Sequence, residues 1–304
     1  MSSTPLIADI ARGSSVDGPG LRTVVFIKGC PLRCVWCHNP ECMLAHAELA
    51  LDLDRCGGCG RCVDCCPKGA LSVSESGVVI DRSRCDHCGL CTEVCDRLAL
   101  RMIGRGWTRD ALLELLLRDL PYYQVSGGGV TFSGGEALQA MAWLSPLIQA
   151  LHGQGVSVAI ETCGWFDLAD FDRLIAPWVD LILFDVKVID PDLHEQLTGI
   201  RNERILANLH TLLERGQPRV QPRVPLVPGM TATRANLIAI ADLLGSWGVR
   251  ECPLLAYNPS GSGKWAKLGR VRPGGVPLLP IPFAQEQAMR AVFEERLAAA
   301  AVLG

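Results

Sequence analysis

Short apolar runs alternate along this chain with longer stretches whose apolar residues recur at helical spacing. Residues 22–28 (RTVVFIK) are β-rich, and five further runs follow at 129–132, 156–160, 181–186, 219–227 and 251–257. Between them, 138–153, 171–176 and 236–247 read as helices, and Thr108 is placed to cap another in DALLELLLRDL. Strands that alternate with helices predict parallel βα units. Six such strands fit an α/β fold, a partial (β/α)6 TIM-like barrel, in which chemistry sits at the C-terminal ends of the strands. The pattern breaks at 47–103, where cysteines crowd. That stretch reads as an inserted domain, dividing the chain into 1–46, 47–103 and 104–304.

Composition adds little until the cysteines are counted. A chain of 304 residues, 49% hydrophobic and 20% charged, is long enough for one large domain with an insertion. With 29 basic against 32 acidic side chains, no surface that coats nucleic acid and no polybasic membrane patch is expected. The best candidate for a spanning helix, 181–188, is interrupted by Asp185 and falls well short of roughly 18 apolar residues. The opening MSSTPLIADIARG lacks the basic-then-apolar pattern of an export signal, so a cytoplasmic location is expected; a monomer is expected as well. The 15 cysteines are unusual. A reducing cytosol keeps thiols free, which points to metal rather than disulfides.

Three groups hold most of these cysteines. Cys56, Cys59, Cys62 and Cys66 form C-x2-C-x2-C-x3-C-P, and Cys85, Cys88, Cys91 and Cys95 repeat that spacing. The run matches the signature of bacterial two-cluster ferredoxins, where the fourth cysteine serves the other cluster. The expected sets are therefore Cys56, Cys59, Cys62 and Cys95 for one [4Fe–4S] cluster, and Cys85, Cys88, Cys91 and Cys66 for a second. Zinc is the rival, but a structural zinc site wants two Cys pairs separated by a longer loop. Asp96 stands where a second proline might be, and Cys65 is an alternative to Cys66 that the spacing favours less. The third group, Cys30, Cys34 and Cys37 in GCPLRCVWCHNP, has three thiols and no evident fourth. Three protein ligands keep a coordination position for a substrate, the arrangement of catalytic metal centres. Cys42, Cys65, Cys163 and Cys252 are left over, the last two reading as small buried hydrophobes.

C-x3-C-x2-aromatic-C resembles the radical S-adenosylmethionine superfamily signature. SSVDGPGLRTVVFIKGCPLRCVWCHNPE (14–41) narrows the resemblance to the glycyl-radical-enzyme activating enzymes, typified by pyruvate formate-lyase activating enzyme. TFSGGEAL (131–138), ETCGW (161–165), FDVK (184–187), RVPLVPG (223–229) and YNPSGSGKW (257–265) match in order, and the insertion is similar to that of the longer, ferredoxin-containing subgroup. The resemblance implies three [4Fe–4S] clusters, S-adenosylmethionine on the bare iron of the Cys30/Cys34/Cys37 cluster, and a glycyl radical enzyme as protein substrate. It implies reductive cleavage to a 5′-deoxyadenosyl radical that takes hydrogen from a glycine Cα. A ferredoxin or flavodoxin would supply the electron, relayed through the inserted clusters.

Residue roles follow from the same resemblance. Gly134 and Gly135 would let backbone approach the cofactor, and Glu136 would accept from its ammonium. Trp36 and His38 flank the last cysteine, Trp36 as an adenine stack. Lys187 would meet the cofactor carboxylate, and Arg223 its ribose or carboxylate. Asn258, where many members carry histidine, would bond the adenosine. Glu161, Thr162 and Asp185 would hold a monovalent cation, although the type member has aspartate at the first position. Asp17, in DGPG, would help hold the partner's glycyl loop. His46, His87, His152, His194 and His210 read as structural or solvated. The rival functions are a radical enzyme acting on another peptide, which would usually carry further C-terminal cysteines, and a ferredoxin-type electron carrier, which would leave the barrel without purpose.

Overall fold

The computed structural model describes residues 4–303. Six strands run parallel in one sheet: β2 (Arg22–Ile27), β8 (Gly129–Gly134), β9 (Ser157–Thr162), β10 (Leu181–Asp185), β11 (Arg219–Leu226) and β12 (Leu254–Ala256). All six coincide with the apolar runs in the sequence. Two antiparallel strands extend the sheet beyond β2: β1 (Leu6–Ser14) and β7 (Arg105–Gly106), giving the order β12-β11-β10-β9-β8-β2-β1-β7. Helices connect successive parallel strands, among them Arg109–Leu117, Met141–Gly153, Leu168–Leu174, Glu203–Arg215 and Arg234–Ser246. The architecture is mixed α/β around a parallel sheet.

The two faces of the strands differ in chemistry. Val25, Phe132, Ile160, Ile182, Phe184 and Leu226 are buried on one face, within the main core. The alternate residues face the other way and turn polar toward the strand ends: Ser133, Glu161, Asp185 and Arg223. The Thr108 hydroxyl accepts from Ala111 N at 3.2 Å, so the helix starts where the capping residue predicts. The last helix, Phe283–Leu303, packs on Arg234–Ser246, where a Cβ on Gly245 would fall 2.4 Å from that of Ala300.

Residues 48–103 stand outside this sheet. β3 (Glu48–Leu51) pairs with β6 (Leu100–Ile103), and β4 (Leu71–Ser74) with β5 (Gly77–Ile80). Leu49, Cys62, Leu71, Val78, Cys91 and Leu100 form a small core of their own. The repeat seen in the sequence recurs in three dimensions. Gly60 (φ +77°) and Gly89 (φ +84°) each turn the chain through the left-handed region into a short helix bearing a cysteine.

Candidate functional site

The register of the parallel sheet lines up the residues at the strand ends. Ile27 pairs with Gly134, Phe184 with Thr162, and Asp185 with Arg223. Cys30 follows β2, Gly134 closes β8, Thr162 closes β9, Lys187 lies just past β10, Gly229 follows β11 and Asn258 follows β12. One rim therefore carries the cysteine loop and the five motifs that follow it in the chain.

A ladder of charge crosses the inner face of four neighbouring strands at this rim. The Ser133 hydroxyl donates to Glu161, whose other oxygen accepts from Arg223 Nη1 at 2.7 Å. Arg223 Nη2 donates to Asp185 Oδ1 at 2.9 Å, and Lys187 Nζ donates to Asp185 Oδ2 at 3.3 Å. Burial works against the charge on Lys187, but Asp185, Cys34 and Cys163 outweigh it and hold the ammonium above its ordinary value. Burial likewise opposes ionisation of Asp185, and the cations Lys187 and Arg223 outweigh it, keeping the carboxyl below its usual range. The result is a hydrogen-bonded row of ionisable side chains beside the thiols.

The three cysteines converge next to it. The Cys37 amide donates to Cys34 O at 3.0 Å, which folds the loop tightly. Burial pushes the Cys34 thiol up to about 12, and Lys187 is the main charge drawing it back. Cys37 is pushed up by burial too, with Cys34 and Cys30 adding to the effect. Cys30 is pulled down by its hydrogen bond with Cys163. Three clustered thiols facing a buried ammonium suit thiolate ligation, because a bound cation would lower all three. Among the described residues no group of three His, Cys, Asp or Glu side chains is placed to hold a single metal ion. Trp36 is half-buried in this loop. His38 Nδ1 lies 3.3 Å from Asn258 O, so two residues far apart in sequence meet at the edge of the site.

Other expected residues are placed differently from one another. Glu136 is wholly buried, and its oxygens accept from Leu138 N at 3.1 Å, Thr162 Oγ1 at 3.0 Å and Cys163 N at 2.7 Å. Its carboxylate ties β8 to β9, and burial raises its pKa. Gly135 admits neighbouring backbone: a Cβ there would lie 2.3 Å from Gly29 O. The Arg223 guanidinium bridges Glu161 and Asp185, and the Thr162 hydroxyl donates to Glu136. Asp17 precedes β2 and thus sits at the opposite end of that strand from Cys30, with its carbonyl accepting from Thr131 Oγ1 at 2.7 Å. His194 is buried and bonded to Ile200 O, a structural role.

Two clefts in the 48–103 region collect the remaining cysteines in the crossed sets. Cys56, Cys59, Cys62 and Cys95 line one of about 200 Å³. Cys66, Cys85, Cys88 and Cys91 line a smaller one, while the Cys65 thiol donates to Cys62 O at 3.4 Å.

The sequence reading missed a polar hub beneath the cysteine loop. The buried Lys28 Nζ donates to Glu48 Oε2 at 2.9 Å and to Glu41 O; Arg270 bonds Glu48 as well, and Lys264 Nζ meets Glu41 Oε1 at 2.6 Å. Lys264 lies in the YNPSGSGKW motif and Lys28 and Glu41 in the 14–41 match, so a signal was present for these; Glu48 had none.

The sequence matches the 4Fe-4S single cluster domain family over residues 16–205. It is 41% identical over 271 residues to the choline trimethylamine-lyase activating enzyme of Oleidesulfovibrio alaskensis, covering 87% of each chain. It is 39% identical over 267 residues to the trans-4-hydroxy-L-proline dehydratase activating enzyme of Clostridioides difficile, covering 87% of this chain and 88% of that one. The crystal structure of Streptococcus suis SuiB bound to precursor peptide SuiA superposes with a TM-score of 0.50 at 13% identity, covering 80% of this chain and 41% of that one, a likeness of fold.

Proposed function

The chain belongs to the glycyl-radical-enzyme activating enzymes of the radical S-adenosylmethionine superfamily, and on that premise we propose that it installs a glycyl radical on a partner enzyme from the rim just described. The observation that carries this reading is the buried Lys187 ammonium set against Cys34 and Asp185. A positive charge held at the edge of a thiol cluster can pair with the carboxylate of a methionyl group, and burial keeps water from competing for it.

Cys30, Cys34 and Cys37 would hold a [4Fe–4S] cluster with one iron free of protein ligands. When bound, the cluster and S-adenosylmethionine supply an electron and a 5′-deoxyadenosyl radical able to take hydrogen from a glycine Cα. The chain's own part is placement. Lys187 orients the carboxylate, and Arg223 helps hold the Asp185 carboxyl, Lys187's own partner, below its usual range. His38 and Asn258 border the site on the side of β12, where Trp36 can offer an apolar face to an adenine. The parallel sheet with its connecting helices we read as the partial (β/α)6 barrel.

We read residues 47–103 as a two-cluster ferredoxin domain holding the crossed sets Cys56, Cys59, Cys62, Cys95 and Cys85, Cys88, Cys91, Cys66. The two cysteine-lined clefts support this, as does the repeated glycine-then-helix turn. A ferredoxin or flavodoxin donor fits that arrangement. The partner is a glycyl radical enzyme of the kind that choline- or hydroxyproline-acting relatives serve. The test is anaerobic mixing with candidate glycyl radical enzymes, S-adenosylmethionine and reductant. A glycine-centred doublet by electron paramagnetic resonance, with 5′-deoxyadenosine released, is the expected outcome; 5′-deoxyadenosine absent under every reductant would overturn the assignment.

A further inference from the structure

Lys187 is not held by a strand. It lies two residues beyond β10, just past Val186, whose amide still donates to Arg223 O at 2.8 Å, and opens a segment that leaves the sheet before the helix Pro191–Thr198. Its backbone is instead gripped by two buried asparagines. Asn236 Nδ2 donates to Lys187 O and to Thr231 O, both at 2.9 Å, and Asn236 Oδ1 accepts from Ile189 N at 3.1 Å. Asn202 Nδ2 donates to Val188 O and Ile189 O, both at 2.8 Å. Each carboxamide has two N–H donors, and all four are used on backbone carbonyls. Asn202 is 2% and Asn236 7% exposed, so water cannot substitute for them.

The far end of the same segment reaches the cysteine loop. The final carbonyls of a helix lack intrahelical partners. Here Leu197 O accepts from Val35 N at 3.0 Å and Thr198 O from Arg33 N at 2.6 Å. The Thr198 hydroxyl donates back to His194 O at 2.8 Å, fixing the turn. Residues 187–202 thus form a closed bracket. Asn202 ties its end to its beginning, Lys187 stands at one corner, and the Cys30–Cys37 loop hangs from the other.

We propose that Asn202 and Asn236 are positioning residues that set the Lys187 ammonium against the cysteine loop, and so govern how tightly the methionyl carboxylate of S-adenosylmethionine is held. The inference rests on the reading of Lys187 given above. Neither asparagine touches the ligand; each acts through the backbone of 187–189. Asn208 is the internal comparison. It too is buried and spends both donors, on Gly164 O at 2.9 Å and Phe166 O at 3.0 Å, but it serves a different loop.

The experiment compares Lys187→Ala, Asn202→Ala, Asn236→Ser and Asn208→Ala in the anaerobically loaded enzyme. S-adenosylmethionine is titrated against the paramagnetic resonance signal of the reduced cluster, and KM and kcat are measured separately. Loss of a partner that orients a metal ligand costs about 10–100-fold, and a loss of similar size is expected for one that orients Lys187. Asn202→Ala and Asn236→Ser should weaken binding in that range and raise KM more than they lower kcat, with Lys187→Ala weaker still and Asn208→Ala far less affected. If Asn202→Ala does not load a cluster, Asn236→Ser decides. Wild-type affinity in both asparagine variants while Lys187→Ala is impaired overturns the inference alone. So does an equal loss in Asn208→Ala, which would mean general loosening. Wild-type affinity in Lys187→Ala removes the reading of the site beneath it.

Discussion

Gly135 shows how much a single missing Cβ can decide. A methyl group there would meet Gly29 O at 2.3 Å and Cys42 O at 2.5 Å. Both are backbone atoms, so neither can swing aside as a side chain would. The gap lets Glu136 N donate to Gly29 O at 2.8 Å, locking the end of β8 to the start of the cysteine loop. Gly135→Ala should therefore destabilise the protein by about 1–3 kcal/mol, the usual range for overpacking. Gly274→Ala, with nothing within 4 Å, should be neutral or slightly stabilising. Urea denaturation of the two variants distinguishes them, and equal midpoints would refute the argument. The glycine pair was conspicuous in the sequence. What could not be read there is the backbone that stands opposite Gly135, because the loop it meets is over 100 residues earlier in the chain. Glu136 carries the same lesson: no local pattern shows that the Thr162 hydroxyl and the Cys163 amide turn toward its carboxylate.

Elements were legible in proportion to how completely they are buried. β2, β8, β9 and β10 are covered over most of their length and read as near-continuous apolar runs, whereas β11 and β12 are only partly covered and read less cleanly. β1 went unread because most of its residues are only partly covered, and LIADIARGS breaks the run with Asp9 and Arg12. The helix Glu203–Arg215 also escaped notice, although Ile205, Leu209 and Leu212 give the spacing of one buried face. What holds β1 is partly electrostatic. Asp119 accepts from Arg12 Nε at 2.8 Å and from the Thr23 hydroxyl at 2.7 Å, joining β1, β2 and the start of the helix Leu120–Ser126. The hydrogen bond from Arg12, against burial and with Thr23 assisting, holds the Asp119 carboxyl below its ordinary value. A carboxyl depressed in the folded state stabilises above its unfolded pKa, near 3.9, and loses that contribution as pH falls through the folded value. Melting temperature should therefore drop below about pH 4 in the wild type. In Asp119→Asn the same drop should be smaller, starting from a lower plateau at neutral pH; parallel curves for the two proteins would exclude the linkage.

At the scale of the whole molecule, the polar hub decides how the inserted region sits on the sheet. Lys28 lies just before the cysteine loop, Glu48 opens β3, and Arg270 follows the helix Ser262–Lys267, so one carboxylate joins three parts of the chain. Removing one partner of a buried pair leaves an uncompensated charge and costs about 3–5 kcal/mol. Glu48→Ala should show a loss of that order by denaturant unfolding. Lys28→Met combined with Glu48→Leu should recover part of it, since apolar residues can replace a buried pair. No recovery would mean that Arg270, not Lys28, dominates the hub.

That hub also bears on how electrons would reach the site. Cys59 and Cys88 are exposed, whereas Cys30, Cys34 and Cys37 are each only partly accessible. A bulky protein donor can approach the first pair far more closely than the rim, and electrons entering there would pass inward through the crossed cysteine sets. Ferredoxin-type clusters reach potentials of roughly −400 mV and below, low enough to feed a reducing site. Cys56→Ala with Cys85→Ala should slow glycyl-radical formation when ferredoxin or flavodoxin is the donor. Affinity for S-adenosylmethionine should stay near wild type, because the Lys187 bracket is untouched. A small, strong chemical reductant, which can diffuse to the rim, should restore most of the rate. If the double variant runs at full speed on the protein donor, the 47–103 region is not the route, and its part in the fold would be structural.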